Sequence, residues 1–388
     1  MDSHRANVQE FADLPAYTGP GIATQARKII ADLTALSAGE YIRTLDANVK
    51  ACKNSFAGSM VRKALLIMTG LPSGCVFTKI HPHGSAYWTS TAAISTVQDG
   101  EPRNFFLKLT RTDVGLSNLI GEYTSMKAIH AATPDFSPVP LAVGTYAANP
   151  DIHFYLASYV DMTDEVPEVD QLPAKLAELH SKALSPNGKF GFSVPTNMGA
   201  CVQPNEWTSS WEECFNRLIS VQFEFEQEVH GHTDEMRGLH RAMLDKVIPR
   251  LLRPLETEGR SIQPRFVHGD LWDGNASVDA TTDQPIIFDA SGMYAHNEYE
   301  LGAWNLPRHK IYRAYIQEYQ RHFPPSAPEE DFEDRLMLYR YRFNLTSSGS
   351  YLDNMRFRAL TIDDMKYLTT KYTDGYQGPE QTKAGAES

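Results

Sequence analysis

Cysteine is scarce, with four in 388 residues. Cys52, Cys75, Cys201 and Cys214 form no CxxC pair and no zinc-finger spacing, which gives a disulfide scaffold or a structural zinc centre no support and leaves reduced thiols as the expectation. Basic residues are also outnumbered, 36 Lys and Arg against 48 Asp and Glu, and a formal charge of -12 argues against a broad electrostatic footprint for nucleic acid. No stretch approaches the roughly 18 consecutive apolar residues of a membrane span. The first residues carry Asp2, Arg5, Glu10 and Asp13 rather than a basic-then-apolar leader. A cytoplasmic protein without membrane partners is therefore expected, and the Asn-x-Ser/Thr sequons at Asn275 and Asn344 carry no glycosylation meaning.

Familiar catalytic signatures are missing as well. There is no Gly-x-Ser-x-Gly elbow and no Gly-x4-Gly-Lys-Ser/Thr loop, so hydrolase and Walker-type readings have no anchor. Thr18-Gly19-Pro20-Gly21 lacks the third glycine and the preceding strand of a dinucleotide loop and reads as a lead-in to a helix over 23–36. His230, His232 and His240, with Asp234 and Glu235, lack the spacing that sets two histidines on one helical face, and read as a solvated turn between helices. No internal repeat is present.

What remains is an ordinary globular composition, 42% hydrophobic and 22% charged, on a chain long enough for two lobes. The pattern divides it into a helical extension over 1–65, a small lobe over 66–157, a larger lobe over 158–373 and a Gly- and polar-rich tail over 374–388. In the small lobe, β-branched and aromatic runs over 86–97 and 104–110 flank the turn Gln98-Asp99-Gly100-Glu101-Pro102 and predict a hairpin. Leu119, Met126 and Ile129 predict a helix over 114–131, and strands follow over 139–144 and 153–160. Beyond Asp161 helices are predicted over 172–183, 207–228, 234–255, 299–319, 332–347 and 362–368, with short strands only near 265–267 and 285–288. The fold class is α+β, a β-rich lobe with one key helix followed by a mainly helical lobe.

The chemistry concentrates after the apolar run Phe266-Val267, where a strand end opens onto a loop carrying Asp270. Asn275 lies five residues on and Asp289 fourteen beyond it, at the end of Pro285-Ile286-Ile287-Phe288. A hairpin between them returns both oxygen ligands to Asp270. One Asp to receive a hydroxyl proton, with an Asn and a second Asp to hold magnesium, is the spacing of a phosphoryl-transfer site. Glu122 supplies independent support. It falls on the apolar stripe of its helix, where an unpaired carboxylate is costly, and Lys108 on the preceding strand is its nearest upstream partner. A strand lysine held by a helix glutamate is how kinases grip nucleotide phosphates. A solvated edge-strand lysine is the competing reading.

His268-Gly269-Asp270-Leu271-Trp272-Asp273-Gly274-Asn275, with Ile287-Phe288-Asp289, resembles the catalytic loop and metal-binding segment of the fructosamine-3-kinase (ketosamine-3-kinase, protein-ribulosamine 3-kinase) family. The resemblance continues through Lys189-Phe190-Gly191-Phe192, Gln203-Pro204-Asn205-Glu206-Trp207 and Tyr294-Ala295-His296-Asn297-Glu298. It implies a bilobal protein-kinase-like fold, ATP and Mg2+ as cofactors, and transfer of a phosphoryl group to the 3-hydroxyl of a ribulosamine or fructosamine, a step of protein deglycation. Asp270 is then the base, Asn275 and Asp289 the metal ligands, and Lys108 with Glu122 the phosphate grip. The glycine loop is poor, offering Gly84 and Ser85; backbone groups of Ser158, Tyr159 and Val160 are placed at the adenine. Trp272, His296 and Glu298 are assigned to the acceptor, although a buried histidine held by a carboxylate explains the last two equally well and Trp272 could be a loop anchor. Trp207 also matches a family position, and His268 reads as a brace for the loop. A kinase for another small alcohol, such as an aminoglycoside-like metabolite, and a catalytically silent binding module are the competing functions. A monomer is the default oligomeric state.

Overall fold

The computed structural model describes residues 70–83, 89–146, 149–351 and 353–378. The helix expected over 23–36, Gly84 and Ser85, and the tail beyond residue 378 lie outside them. The chain divides into two compact units, one holding the described residues up to His130 and Pro138–Asp161, the other Ala131–Ser137 and the residues from Met162 onward.

In the first unit β1 (Val76–Pro82), β2 (Ser90–Gln98), β3 (Glu101–Arg111), β4 (Pro140–Tyr146) and β5 (Asn149–Ser158) form an antiparallel sheet in the order β1-β2-β3-β5-β4. The predicted β2–β3 turn narrows to two residues. Asp99 and Gly100 both take positive φ, 52° and 87°, the geometry that an Asp-Gly pair supplies to a tight hairpin, so Pro102 joins the strand opposite Val97. Along β3 the side chains alternate. Phe105, Leu107 and Leu109 enter a core with Ile80, Ile94, Ile152, Phe154 and Leu156, so Lys108 belongs to the opposite face. On that face Tyr155 and Ala157 of β5 pack with Leu119 of α1 (Thr112–Ala132). β1 was not among the predicted strands, since Thr78, Lys79 and His81 interrupt its apolar pattern.

The second unit carries α2 (Leu172–Lys182), the hairpin β6 (Thr196–Met198) and β7 (Cys201–Gln203), and α3 (Trp211–His230), which begins where Ser210 accepts from the Glu213 amide. The helix expected over 234–255 is present but uneven: α4 (Asp234–Ala242), a π turn (Met243–Val247), α5 (Ile248–Leu252) and a 3-10 turn (Arg253–Glu256) follow without a break. Pro249, which lacks an amide donor and cannot continue the i to i−4 ladder, falls inside this run just after the π turn, where the Ile248 amide reaches back to the Met243 carbonyl. Two strand pairs come next, β8 (Arg265–Val267) with β11 (Met293–Ala295), and β9 (Ala276–Val278) with β10 (Pro285–Ile287).

The single helix expected over 299–319 is corrected to two. A 3-10 helix (Asn297–Asn305) stops at Leu306, whose φ of -110° and ψ of 110° are the extended values imposed ahead of Pro307. The chain turns helical again only at α6 (Arg313–His322). α7 (Phe332–Ser350) runs through the interior against α3, α8 (Met355–Lys371) and the 3-10 helix, carrying buried Arg335 and Arg342 with it. Residues 374–378, assigned to the tail, are placed at least in part by Arg253, whose guanidinium lies 5.1 Å over the Tyr376 ring. No described helix is long and apolar enough to cross a membrane. Gly302 is required where the 3-10 helix meets α7, because a Cβ there would stand 2.7 Å from the Tyr339 carbonyl carbon. Gly302→Ala is expected to lower the unfolding free energy by about 1–3 kcal/mol, read as a shifted midpoint in urea.

Candidate active site

β8 delivers the fully buried Phe266 and Val267 and then breaks into the loop 268–275. The loop is bonded along its length. The His268 amide donates to Glu300 Oε2 and the Gly269 amide to Glu300 Oε1 at 3.0 Å. The His268 carbonyl accepts from the Ser291 amide at 2.9 Å, the Gly269 carbonyl from Arg342 at 2.7 Å, and the Leu271 carbonyl from Trp304 Nε1 at 3.0 Å. Gly269 has φ +81°, and a Cβ on it would lie 2.2 Å from the Ser291 carbonyl oxygen, so this position takes glycine for two reasons.

His268 is a brace, as expected. Its Nδ1 accepts from the Asp270 amide at 3.2 Å, which puts the proton on Nε2, and Nε2 donates to the Phe288 carbonyl at 2.8 Å. Burial holds its pKa below the usual histidine range. Asp270 is half-buried at the turn. Asn275 Nδ2 donates to its carbonyl oxygen at 2.8 Å and to Oδ2 at 3.2 Å, while Oδ1 has no hydrogen-bond partner among the described residues and is not enclosed by them. Desolvation pushes the Asp270 pKa up to about 7, with Asp289 acting in the same direction and Arg342 and the Asn275 amide opposing.

β9 and β10 pair antiparallel, as the expected hairpin requires, and the Phe288 amide donates to the Asn275 carbonyl at 3.1 Å, so the two ends carrying Asn275 and Asp289 run side by side. Asp289 is exposed and has φ +59°, a left-handed conformation unusual outside glycine. With the Asn275 amide nitrogen committed to Asp270, its Oδ1 is the atom left for a cation. An amide oxygen and a carboxylate suit a hard divalent ion that draws its other ligands from phosphate and water. Among the described residues no cluster of three His, Cys, Asp or Glu suited to a metal is found; His240 stacks on Phe223 at 3.9 Å and His230 bonds the Ser348 carbonyl.

In the first unit Lys108 Nζ lies 2.8 Å from both Oε1 and Oε2 of Glu122, with the side chains only 6% and 13% exposed. The edge-strand alternative is thereby ruled out for Lys108. The Ser158 amide donates to Val139 and the Tyr159 amide to Asn104, so of the three amides assigned to adenine only that of Val160 is uncommitted to the sheet.

Trp272 is half-buried, folded over Gly274, with its ring 5.2 Å from that of His309. His309 Nδ1 is in turn 3.0 Å from Asp273, which also accepts from the Lys310 amide. Trp207 is half-buried and stacked on Tyr294 at 5.9 Å.

His296 and Glu298 require correction. Both are buried and their polar atoms are committed within the protein. Tyr339 accepts from Trp211 Nε1 and therefore donates to His296 Nδ1 at 2.9 Å, His296 Nε2 donates to Ser326 Oγ, and burial drives the ring's pKa to about 4. Glu298 is held by Arg335 at 2.7 and 3.1 Å and by the Ser326 amide at 2.7 Å. In this conformation neither offers an atom to an acceptor, and the carboxylate's partner is Arg335 rather than His296, 4.0 Å away. The residues that sequence reasoning missed are Glu300, Trp304 and Arg342, which hold the loop from 31 to 73 positions further along the chain.

A family profile described as "Fructosamine kinase" matches residues 84–358. A protein-ribulosamine 3-kinase, chloroplastic, from Oryza sativa subsp. japonica is 30% identical over 253 residues, covering 63% of this chain and 69% of the relative. Among solved structures, one from Haemophilus somnus 129PT, assigned as a fructosamine-3-kinase, superposes with a TM-score of 0.61 at 18% identity, over 79% of this chain and 96% of its own. A thermostable mutant of the aminoglycoside phosphotransferase APH(4)-Ia shares the fold at a TM-score of 0.52 and 15% identity, over 80% of this chain and 98% of its own.

Arg335→Ala leaves Glu298 buried without its cation. It is expected to cost about 3–5 kcal/mol in urea unfolding, and a loss below about 1 kcal/mol would mean that the pair is not structural.

Proposed function

The chain belongs to the fructosamine kinase family, phosphotransferases acting on a hydroxyl group, and on that footing we propose that it transfers the γ-phosphoryl group of ATP to the 3-hydroxyl of a ketosamine, a ribulosamine or a fructosamine. The observation that carries the residue-level reading is the presentation of Asp270: its backbone is clamped by His268 and Arg342, its Oδ2 is held by Asn275, and its Oδ1 is open. Such a carboxylate can accept the hydroxyl proton as the acceptor oxygen attacks the γ-phosphorus and the bond to the β-phosphate oxygen breaks. The products are the sugar phosphate and ADP.

Asn275 and Asp289 would hold Mg2+, which supplies neutralisation of phosphate charge. Lys108, kept extended by Glu122, would contact the nucleotide phosphates, and the Val160 amide with neighbouring carbonyls would meet the adenine. Gly84 and Ser85 retain their proposed place beside the phosphates. Trp272 would offer the acceptor an aromatic face. Deglycation of proteins, action in the cytoplasm and a monomeric state belong to the same proposal.

Asp270→Asn is expected to lower kcat by about 100- to 10,000-fold with the ATP KM little changed, measured as ADP release; near-normal turnover would remove Asp270 as the base. Lys108→Met is expected to raise the ATP KM and lower kcat together. Across ribulosamine, fructosamine, choline and aminoglycoside acceptors, turnover is expected with the first two. Turnover of an aminoglycoside alone would favour the competing kinase, and magnesium-dependent ATP binding with no turnover would favour a silent binding module.

A further inference from the structure

Arg342 is a guanidinium with no exposed surface, and a guanidinium does not lose its charge on burial. The other deeply buried arginines of the second unit face glutamates, Arg335 with Glu298 at 2.7 Å and Arg358 with Glu226 at 3.5 Å. Arg342 makes no ion pair among the described residues. Its Nε has no hydrogen-bond partner, and its planar face lies 4.8 Å from the centre of the Tyr299 ring and 4.3 Å from that of Phe343. Its two terminal nitrogens each meet one neutral oxygen, Gly269 O at 2.7 Å and Gln203 Oε1 at 2.9 Å. A neutral donor could serve both, so the hydrogen bonds alone do not account for a buried cation here.

The peptide unit between Gly269 and Asp270 does account for it. Its oxygen is held by Arg342 and its N–H by His268 Nδ1, so both ends of the plane that sets the direction of the Asp270 side chain are fixed. Gln203 closes the frame, donating to Ser291 Oγ at 2.6 Å, while the Ser291 amide donates to the His268 carbonyl.

We propose that Arg342 is a positioning residue for phosphoryl transfer, clamping the Gly269–Asp270 peptide through its carbonyl oxygen while His268 holds the amide. The proposal rests on Asp270 being the base. It makes Arg342 and Gln203 part of one frame with His268, and it gives the buried cation a task in the chemical step rather than in nucleotide binding.

The test compares Arg342→Lys and Arg342→Gln in the full chain, with ATP, Mg2+ and a ribulosamine acceptor, and with circular dichroism and the melting temperature as the folding check. Lysine keeps the charge but cannot reproduce the planar two-handed grip. Both variants are expected to lower kcat, lysine by about tenfold and glutamine by about a hundredfold, with the ATP KM within about twofold of wild type. If the glutamine variant does not fold, the lysine variant decides. A folded variant with wild-type kcat, or one whose loss falls on the ATP KM, would overturn the proposal. Asp270→Asn measured alongside separates the two ideas: full turnover there removes the base assignment itself, whereas an inactive Asp270→Asn beside a fully active Arg342→Lys removes only the role of Arg342.

Discussion

The Glu300 carboxylate, buried completely, bonds to two consecutive backbone amides, those of His268 and Gly269. These amides start a loop that has left β8 and has no strand partner to satisfy them, and an orphaned buried amide is costly. Desolvation raises the pKa of Glu300, yet the hydrogen bonds it receives, from the His268 amide among them, help hold it below the usual carboxylate value. A neighbouring histidine, His180, is oriented from a distance. Tyr319 accepts from Asn297 Nδ2 and so donates to His180 Nδ1, which turns the Nε2 side of that ring toward Glu300 at 3.8 Å. With Glu300 in place the loop can be bonded at each further point by groups that approach from different elements.

Buried charge in the second unit follows two rules. Where the task is to join elements, each charge meets its opposite: Arg335 and Glu298 tie α7 to the 3-10 helix, and Arg358 caps the carbonyls of His230 and Gly231 at the end of α3 while facing Glu226. Around the loop 268–275, the buried Glu300 and Arg342 instead meet mainly neutral groups among the described residues. Glu300 is met by amides and Arg342 by carbonyl oxygens, so each leaves part of its field unneutralised. Unneutralised fields of fixed direction are what a phosphoryl-transfer site needs, since they require no reorganisation when charge moves.

Much of this was legible in the sequence where one residue's environment could be deduced from its own element. Glu122 on an apolar stripe demanded a cation, and Lys108 is there. Asn275 and Asp289 were brought together by a hairpin implied by spacing. His296 and Glu298 were misassigned because a matched motif gives position along the chain without giving direction. Arg335, 37 residues beyond Glu298, claims the carboxylate, and no local pattern announces it. The argument used for Glu122 would have found Glu300, an acid among Tyr299, Leu301, Ala303 and Trp304, all of them buried. Arg342 left no comparable trace, because its acceptors are backbone and amide oxygens that any sequence provides.

The tautomer of His268 sets a boundary on how a captured proton can travel. With Nδ1 accepting from the Asp270 amide and Nε2 donating to the Phe288 carbonyl, the ring has no lone pair to spare for the neighbouring carboxyl group. In the proposed role of base, Asp270 would thus be a terminus rather than the first member of a relay. Whatever proton it takes leaves by the way it came, through the open Oδ1 into solvent or onto the departing product. The resting state of the proposed base would therefore be restored from outside the protein, once per cycle, with the scaffold behind it unchanged.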